Sequence, residues 1–154
     1  MIMRKMTSKD YVVAVAVGIA IAMILSMVMI PAAKFGMSSM PKPLSLAFVQ
    51  MIFGEVPALV GILFHIAYVT FWTIVYVVMF KLRTFLNALW LALALWGLVL
   101  VFFFPLVGWG FFGLAVGPEL IVGSLVPHLL FAVLLWAISR WAFPYKVSYE
   151  QENP

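Results

Sequence analysis

The chain contains no cysteine, and charged residues are scarce. Nine Lys or Arg and five Asp or Glu among 154 residues are too few to cover the surface of a soluble protein of this size. Without a thiol, disulfides, thiolate metal sites, iron–sulfur clusters and thiol catalysis are all excluded. The basic residues do not form the clustered face that nucleic-acid binding requires, so no nucleic-acid partner is predicted.

Apolar residues make up most of the chain. They account for 67% of the sequence, and the mean hydropathy is +1.21, so lipid must be the solvent for most of the surface. At about 20 residues per span, the chain has room for four transmembrane helices and short connections. The predicted fold class is therefore an all-α integral membrane protein with one four-helix domain over residues 1–154.

Four long apolar runs mark the predicted spans. These runs cover residues 11–30, 57–80, 86–104 and 119–143. The first is predicted to be an uncleaved helix that ends at Pro31, and the third is predicted to stop at Pro105. A further apolar stretch at 44–54 is too short to cross a bilayer, which predicts a short interfacial helix in the first outer loop.

Basic residues near the span ends predict the orientation. Two of them, Lys34 and Lys42, fall on one side of the membrane, and seven fall on the other: Arg4, Lys5, Lys9, Lys81, Arg83, Arg140 and Lys146. Cytoplasmic loops carry an excess of Lys and Arg. Both termini are therefore predicted to lie in the cytoplasm.

The second and fourth spans begin with similar segments. GEVPALVGILFH at 54–65 and GPELIVGSLVPH at 117–128 each start with Gly and place His eleven residues later, with another Gly between them. The first and third spans each carry a mid-span glycine, Gly18 and Gly97. A duplication of two helices would relate the halves by a pseudo-twofold axis along the membrane normal. Chance similarity between apolar segments is the alternative.

The two histidines of the chain fall inside these spans. The repeat predicts that His65 and His128 lie at the same depth on parallel helices, roughly 14 Å from the outer helix ends. One interpretation is structural, with each neutral His bonded to a neighbouring helix. Another is axial ligation of haem b, with Gly61 leaving room for the flat ring. A quinone or proton site at one His is a third. Haem propionates need basic partners, and the outer side offers only Lys34 and Lys42.

The carboxylates nearest to the histidines are Glu55 and Glu119, nine or ten residues away in sequence. That separation is about 14 Å along a helix, so they cannot join the histidines in a metal site, and no metal is predicted. They are predicted to lie at helix N-termini, where the helix dipole favours a carboxylate. Copper binding at Met37 and Met40 is a weaker alternative, since Met is ordinary packing in apolar regions.

Two further patterns concern packing and depth in the bilayer. Small residues recur at every fourth position of the first span and predict a ridge that another backbone can approach closely: Ala14, Gly18, Ala22 and Ser26. Aromatic residues near the span ends are predicted to be interfacial anchors: Tyr11, Trp90, Trp109, Trp141 and Tyr145.

The overall plan, with FHIAY in the second span and PHLLF in the fourth, resembles a group of uncharacterised prokaryotic four-span membrane proteins. Proteins of that group have about this length and carry a His in the same two helices. The likeness covers most of the chain. It implies a prokaryotic plasma-membrane location, and it implies no function because the group has no assigned activity.

The predicted function is that of a non-catalytic accessory subunit in a larger membrane complex, such as a respiratory or redox complex. Its partners would be the lipid bilayer and other integral membrane subunits. No polar pathway follows the spans, the connector at 105–117 is apolar without a charge, and the first span offers its ridge for docking. The alternatives are a small b-type cytochrome with His65 and His128 as axial ligands, and an oligomeric transporter protomer.

Overall fold

The computed structural model describes residues 6–80 and 82–143. Over these ranges the chain is helical without a strand, and four helices are long and apolar enough to cross a membrane. This is an all-α membrane protein with four spans. We number the helices as follows: α1 is Ser8–Lys34, α2 is Leu44–Phe53, α3 is Ala58–Met79, α4 is Phe85–Leu106 and α5 is Glu119–Ala142.

Helix α1 begins earlier and ends later than the sequence predicts. Thr7 and Asp10 form a capping box: the Thr7 hydroxyl accepts from the Asp10 backbone N–H at 3.3 Å, and the Asp10 carboxylate accepts from the Thr7 N–H at 2.9 Å. The predicted end at Pro31 is wrong, because α1 continues through it to Lys34. Pro31 lacks only its own backbone N–H donor. Its carbonyl still accepts a helical hydrogen bond, from the Phe35 N–H at 3.0 Å.

Helix α4 changes its winding before it ends. It is α-helical to Leu98, turns π-helical over Val99–Phe103, and ends at Leu106, one residue beyond Pro105. A proline ring collides with the carbonyl four residues earlier in a regular α-helix. The wider turn, with the Phe104 N–H bonded to the carbonyl five residues back, accommodates Pro105 without stopping the span.

Helix packing determines which spans are neighbours. Helix α1 packs along α3 and also contacts α5, while α4 packs along α5 and α2 lies on α3. The order around the bundle is therefore α3, α1, α5, α4. The helices that carry the histidines, α3 and α5, are not among the closely packed pairs in the described chain. The buried core includes residues from all four spans, among them Ile21 of α1, Tyr76 of α3, Ala92 of α4 and Leu135 of α5.

The two hairpins, α1 with α3 and α4 with α5, both pack as the predicted duplication requires. The pseudo-twofold relation is nevertheless incomplete. The contact between α1 and α5 has no equally close counterpart between α4 and α3, and α2 corresponds only to a short turn at Phe111–Gly113 in the second half. The internal repeat accordingly remains a prediction about ancestry, and the present arrangement is asymmetric.

The small-residue ridge of α1 lies inside the bundle. Ala14, Gly18 and Ala22 are buried, and Ser26 is half-buried. A Cβ on Gly18 would come within 2.6 Å of the Thr70 Cα on α3, so the two backbones touch at this crossing. This is the close approach that the ridge predicts, and it takes place within the chain. The ridge is therefore not available as a docking surface for another subunit.

The alternation of the spans gives the bundle two ends. We call the end with α2 and the connector between α4 and α5 the loop end, and the opposite end the terminal end. Lys34 and Lys42 lie at the loop end, whereas Lys9, Arg83 and Arg140 lie at the terminal end. The other four residues of the charge count lie outside the described residues: Arg4, Lys5, Lys81 and Lys146.

Candidate functional sites at the histidines and the loop end

His128 is bonded within its own helix. Its Nδ1 lies 2.7 Å from the carbonyl oxygen of Ser124 on α5. A carbonyl only accepts, so this nitrogen carries a proton, and in the neutral imidazole Nε2 is the acceptor. Pro127 immediately precedes His128 and supplies no N–H to the Gly123 carbonyl, so the histidine bond lies beside an interruption in the helical bonding.

One helical turn before His128, hydrogen bonds from a tryptophan connect α4 to α5. The Trp96 Nε1–H donates to the Ser124 hydroxyl at 3.1 Å and to the Ile121 carbonyl at 3.2 Å. The Ser124 hydroxyl in turn donates to the same Ile121 carbonyl at 3.1 Å. Sequence reasoning missed Trp96. The position of Trp96 could have indicated this bond, because an indole N–H deep inside an apolar span must find an acceptor there.

His65 has a different environment. It is partly exposed on α3 and makes no hydrogen bond with the described residues, so the structure does not contain the interhelical bond that the structural interpretation expects there. His65 stands seven residues after the first residue of α3, and His128 nine after that of α5. Their depths are therefore about 10 and 14 Å from the helix starts, and the predicted equal depth holds only roughly.

Aromatic rings fill the seam between α3 and the π-helical turn of α4. Phe48 of α2 contacts Phe64 and Phe103 with ring centroids 5.1 and 5.2 Å apart, and Tyr68 contacts Phe103 at 5.9 Å. The hydroxyl of Tyr68 and the indole N–H of Trp72 are also buried, and the two rings contact each other edge to face with centroids 6.2 Å apart. Sequence reasoning missed this seam, because its members come from three separate helices.

The haem hypothesis expects open space at Gly61, but that space is occupied. A Cβ on Gly61 would lie 2.8 Å from the Leu46 Cα, so the backbone of α2 covers this glycine directly. Gly61 therefore serves helix packing and does not fit as a residue in contact with haem. Haem ligation by His65 and His128 stays a prediction. It lacks the predicted contact with Gly61, and the helices that carry the two histidines do not pack closely together.

The two carboxylates near the helix starts are placed differently. Glu119 is the first residue of α5, and its carboxylate folds back over Gly117, where the helix dipole favours a negative charge. Glu55 is exposed and lies two residues before Pro57, the N-cap of α3, so it is close to the predicted helix N-terminus but outside the first turn. Within residues 6–80 and 82–143, no three His, Asp or Glu side chains come together as a metal site.

A polar cleft opens at the loop end between α2 and the connector. It has a volume of about 400 Å³, and its wall includes Lys42, Gln50, Glu55 and Trp109. The Lys42 Nζ donates to the Gln50 side-chain oxygen at 2.9 Å. Sequence reasoning did not find this cleft, because it forms only where the two halves of the chain meet.

The aromatic residues predicted as interfacial anchors divide into two groups. Tyr11, Trp90 and Trp141 are exposed on the bundle surface, as an anchor must be. Trp109 is only 7% exposed and packs on Phe104 with ring centroids 5.4 Å apart, so for this residue the prediction is wrong. Tyr145 lies outside the described residues.

The connector between α4 and α5 has a fixed backbone and an apolar surface. The Trp109 N–H bonds to the Phe104 carbonyl at 2.8 Å, and the Ala115 N–H to the Trp109 carbonyl at 3.0 Å. Around this frame Phe111 and Leu114 are 63% and 58% exposed. Phe112 adopts a left-handed backbone conformation with φ of 59°, which residues other than Gly rarely adopt.

No protein-family model, curated protein or solved structure matches this chain. The resemblance to the prokaryotic four-span proteins therefore stays a prediction.

Proposed function

We propose that this chain is a non-catalytic accessory subunit of a larger membrane protein complex, and that the connector at 107–118 docks against another integral subunit. The observation that carries the proposal is the apolar surface of the connector, held in a fixed shape. Phe111, Leu114 and Val116 are exposed there, and no charged residue lies among them. Such a surface is covered either by lipid or by a partner, and its fixed shape favours a partner.

The connector keeps its shape against a local cost. The left-handed backbone of Phe112 is less favourable than the right-handed one by about 1–2 kcal/mol. The Trp109 and Ala115 backbone bonds and the buried Trp109 ring offset this cost. A segment that only joined two spans could be loose and polar. A fixed apolar surface reduces the entropy lost when a partner binds, which supports docking.

The interior of the bundle supports a structural role over a conducting one. Among the described residues, the fully buried side chains with a polar group are Thr73, Tyr76, Ser124 and Ser139, and none of them is charged. The Thr73 hydroxyl donates a hydrogen bond to the Val69 carbonyl of its own helix at 2.9 Å. A transport pathway needs polar or ionisable groups along the route of the substrate. The transporter alternative therefore has little support here.

We place the protein in a prokaryotic plasma membrane with both termini in the cytoplasm, in a complex of energy conversion. The charge asymmetry of the sequence supports the orientation, and the terminal end keeps Lys9, Arg83 and Arg140 in the described part of the chain. The small-residue ridge offers no docking surface, since α3 covers it. The docking surface is the connector.

The test is co-purification from native membranes in mild detergent, followed by mass spectrometry. The parent chain is compared with a Phe111→Gln/Leu114→Gln variant and with a matched control, Phe35→Gln/Met37→Gln. The control residues are 81% and 79% exposed, lie at the same end of the bundle and do not belong to the connector. We expect stoichiometric integral subunits with the parent and the control, and their loss with the connector variant.

Two outcomes would contradict the proposal. One is a monodisperse homo-oligomer that performs an activity alone, without any other subunit. The other is equal loss of partners in the connector variant and in the control, since the docking surface would then lie elsewhere. Circular dichroism of each variant in detergent shows whether the helices remain intact.

A further inference from the structure

We propose that the cleft between α2 and the connector binds the headgroup of a zwitterionic phospholipid that carries both a phosphate and a free ammonium group. This inference does not rest on the accessory function, because the two charged groups that carry it, Lys42 and Glu55, lie outside the connector, which contributes only Val107 and Trp109 to the wall. The cleft has a volume of about 400 Å³ and is open to the outside of the bundle at the loop end.

The charges of the cleft match such a headgroup. Lys42 supplies one cation, and its Nζ is held by the Gln50 side-chain oxygen at 2.9 Å, which leaves two further N–H donors for a phosphate. Glu55 supplies one anion, and its carboxylate makes no ion pair or hydrogen bond with the described residues. A ligand with one negative and one positive group satisfies both side chains, whereas a purely anionic ligand leaves Glu55 opposed by a like charge.

The surroundings indicate a lipid as the source of that chemistry. Trp109 and Val107 form an apolar wall from the connector, and Met51 forms one from α2. Met51 is itself 45% exposed, and the next residues Ile52 and Phe53 are 51% and 69% exposed, so this end of α2 presents apolar surface beside the cleft. A headgroup in the cleft could therefore keep its acyl chains on apolar protein. A soluble zwitterion would leave that surface unused.

The experiment titrates the full chain in detergent with defined lipids and measures binding by native mass spectrometry. The probes are phosphatidylethanolamine, phosphatidylglycerol, which lacks the ammonium, and phosphatidylcholine, whose ammonium has no N–H to donate. Soluble phosphoethanolamine tests whether the headgroup suffices without the chains. We expect phosphatidylethanolamine to bind about tenfold more tightly than either other lipid, and the soluble headgroup to compete only weakly.

Variants assign the two charges. Glu55→Gln should remove the preference for phosphatidylethanolamine while leaving phosphatidylglycerol binding in place, whereas Lys42→Gln should weaken both lipids. Lys34→Gln is the control, since Lys34 is an exposed basic residue at the same end that does not line the cleft. Equal affinity for all three lipids, an unchanged preference in Glu55→Gln, or an equal effect of Lys34→Gln would overturn the proposal. Full competition by soluble phosphoethanolamine would overturn its assignment to a lipid.

Discussion

Gly18 of α1 faces Thr70 of α3 so closely that a Cβ on the glycine would meet the Thr70 Cα at 2.6 Å. The glycine at the corresponding place in the second hairpin, Gly97 of α4, has no atom within 4 Å of an added Cβ. The two positions look alike in sequence. Only one of them is a helix crossing, so the pair provides a controlled test of what holds the bundle together.

Replacing Gly18 by Leu should destabilise the bundle, because α1 and α3 would have to separate to admit the side chain. Overpacking of this kind costs about 1–3 kcal/mol. Gly97→Leu should change stability far less, since its surroundings are open. The measurement is reversible unfolding of both variants in mixed micelles. If Gly18→Leu unfolds like the parent, the crossing does not limit stability and the close contact is not what holds α1 in place.

These contacts show what the sequence could and could not predict. Hydropathy alone predicted four spans, because each span in lipid must be apolar and must bond its own backbone. The spacing of Ala14, Gly18 and Ala22 predicted a close approach. It could not say whether the neighbour would be α3 or another subunit, since any helix backbone satisfies such a ridge.

The candidate sites were less predictable than the spans. The histidines were visible in the sequence, but their partners depend on helix rotation, which composition does not specify. The covering of Gly61 by α2 is a contact between segments that an apolar pattern cannot pair. The bond from Trp96 to Ser124 crosses between α4 and α5 in the same way. Pro105 predicted a break in the third span, whereas the structure accommodates the proline with a π-helical turn.

The tryptophan bond between α4 and α5 is open to direct measurement. Trp96→Phe keeps the aromatic volume and removes the N–H that reaches Ser124 and Ile121. We expect a loss of about 0.6–2 kcal/mol, the range for hydrogen bonds between membrane helices. Trp90→Phe is the control, because Trp90 is 64% exposed and makes no hydrogen bond with the described residues. Equal unfolding of the two variants would mean that the Trp96 bond contributes nothing net.

The orientation can be tested because the chain is free of cysteine, so a single introduced thiol is the only labelling site. Ser8→Cys and Ser148→Cys mark the two termini, of which Ser148 lies outside the described residues, and Ser38→Cys marks the loop end. We expect an impermeant maleimide to label only Ser38→Cys in intact cells and all three after lysis, because the basic excess lies at the termini. Labelling at position 8 or 148 in intact cells would reverse the orientation.

The histidines distinguish the accessory subunit from a cytochrome, because the two interpretations predict different patterns of loss. If the side chains are structural, the alanine variants should be unequal. His65→Ala removes no hydrogen bond with the described residues and should cost little. His128→Ala removes the bond from Nδ1 to the Ser124 carbonyl and should cost about 0.5–1.5 kcal/mol. His128→Gln retains an N–H donor and should recover part of that loss.

If the histidines instead ligate haem, the two variants must behave alike. A low-spin haem needs both axial positions filled, so either alanine should abolish the sharp reduced-state absorption band, and the double variant should show no further loss. The measurement is a reduced-minus-oxidised spectrum of protein expressed with haem supplied, beside unfolding of the same variants. We expect no band, because α2 covers Gly61 and the helices that carry the two histidines are not closely packed, and unequal stabilities, because of the two only His128 makes a hydrogen bond with the described residues. A band lost equally in both variants would establish the cytochrome and would contradict the non-catalytic role.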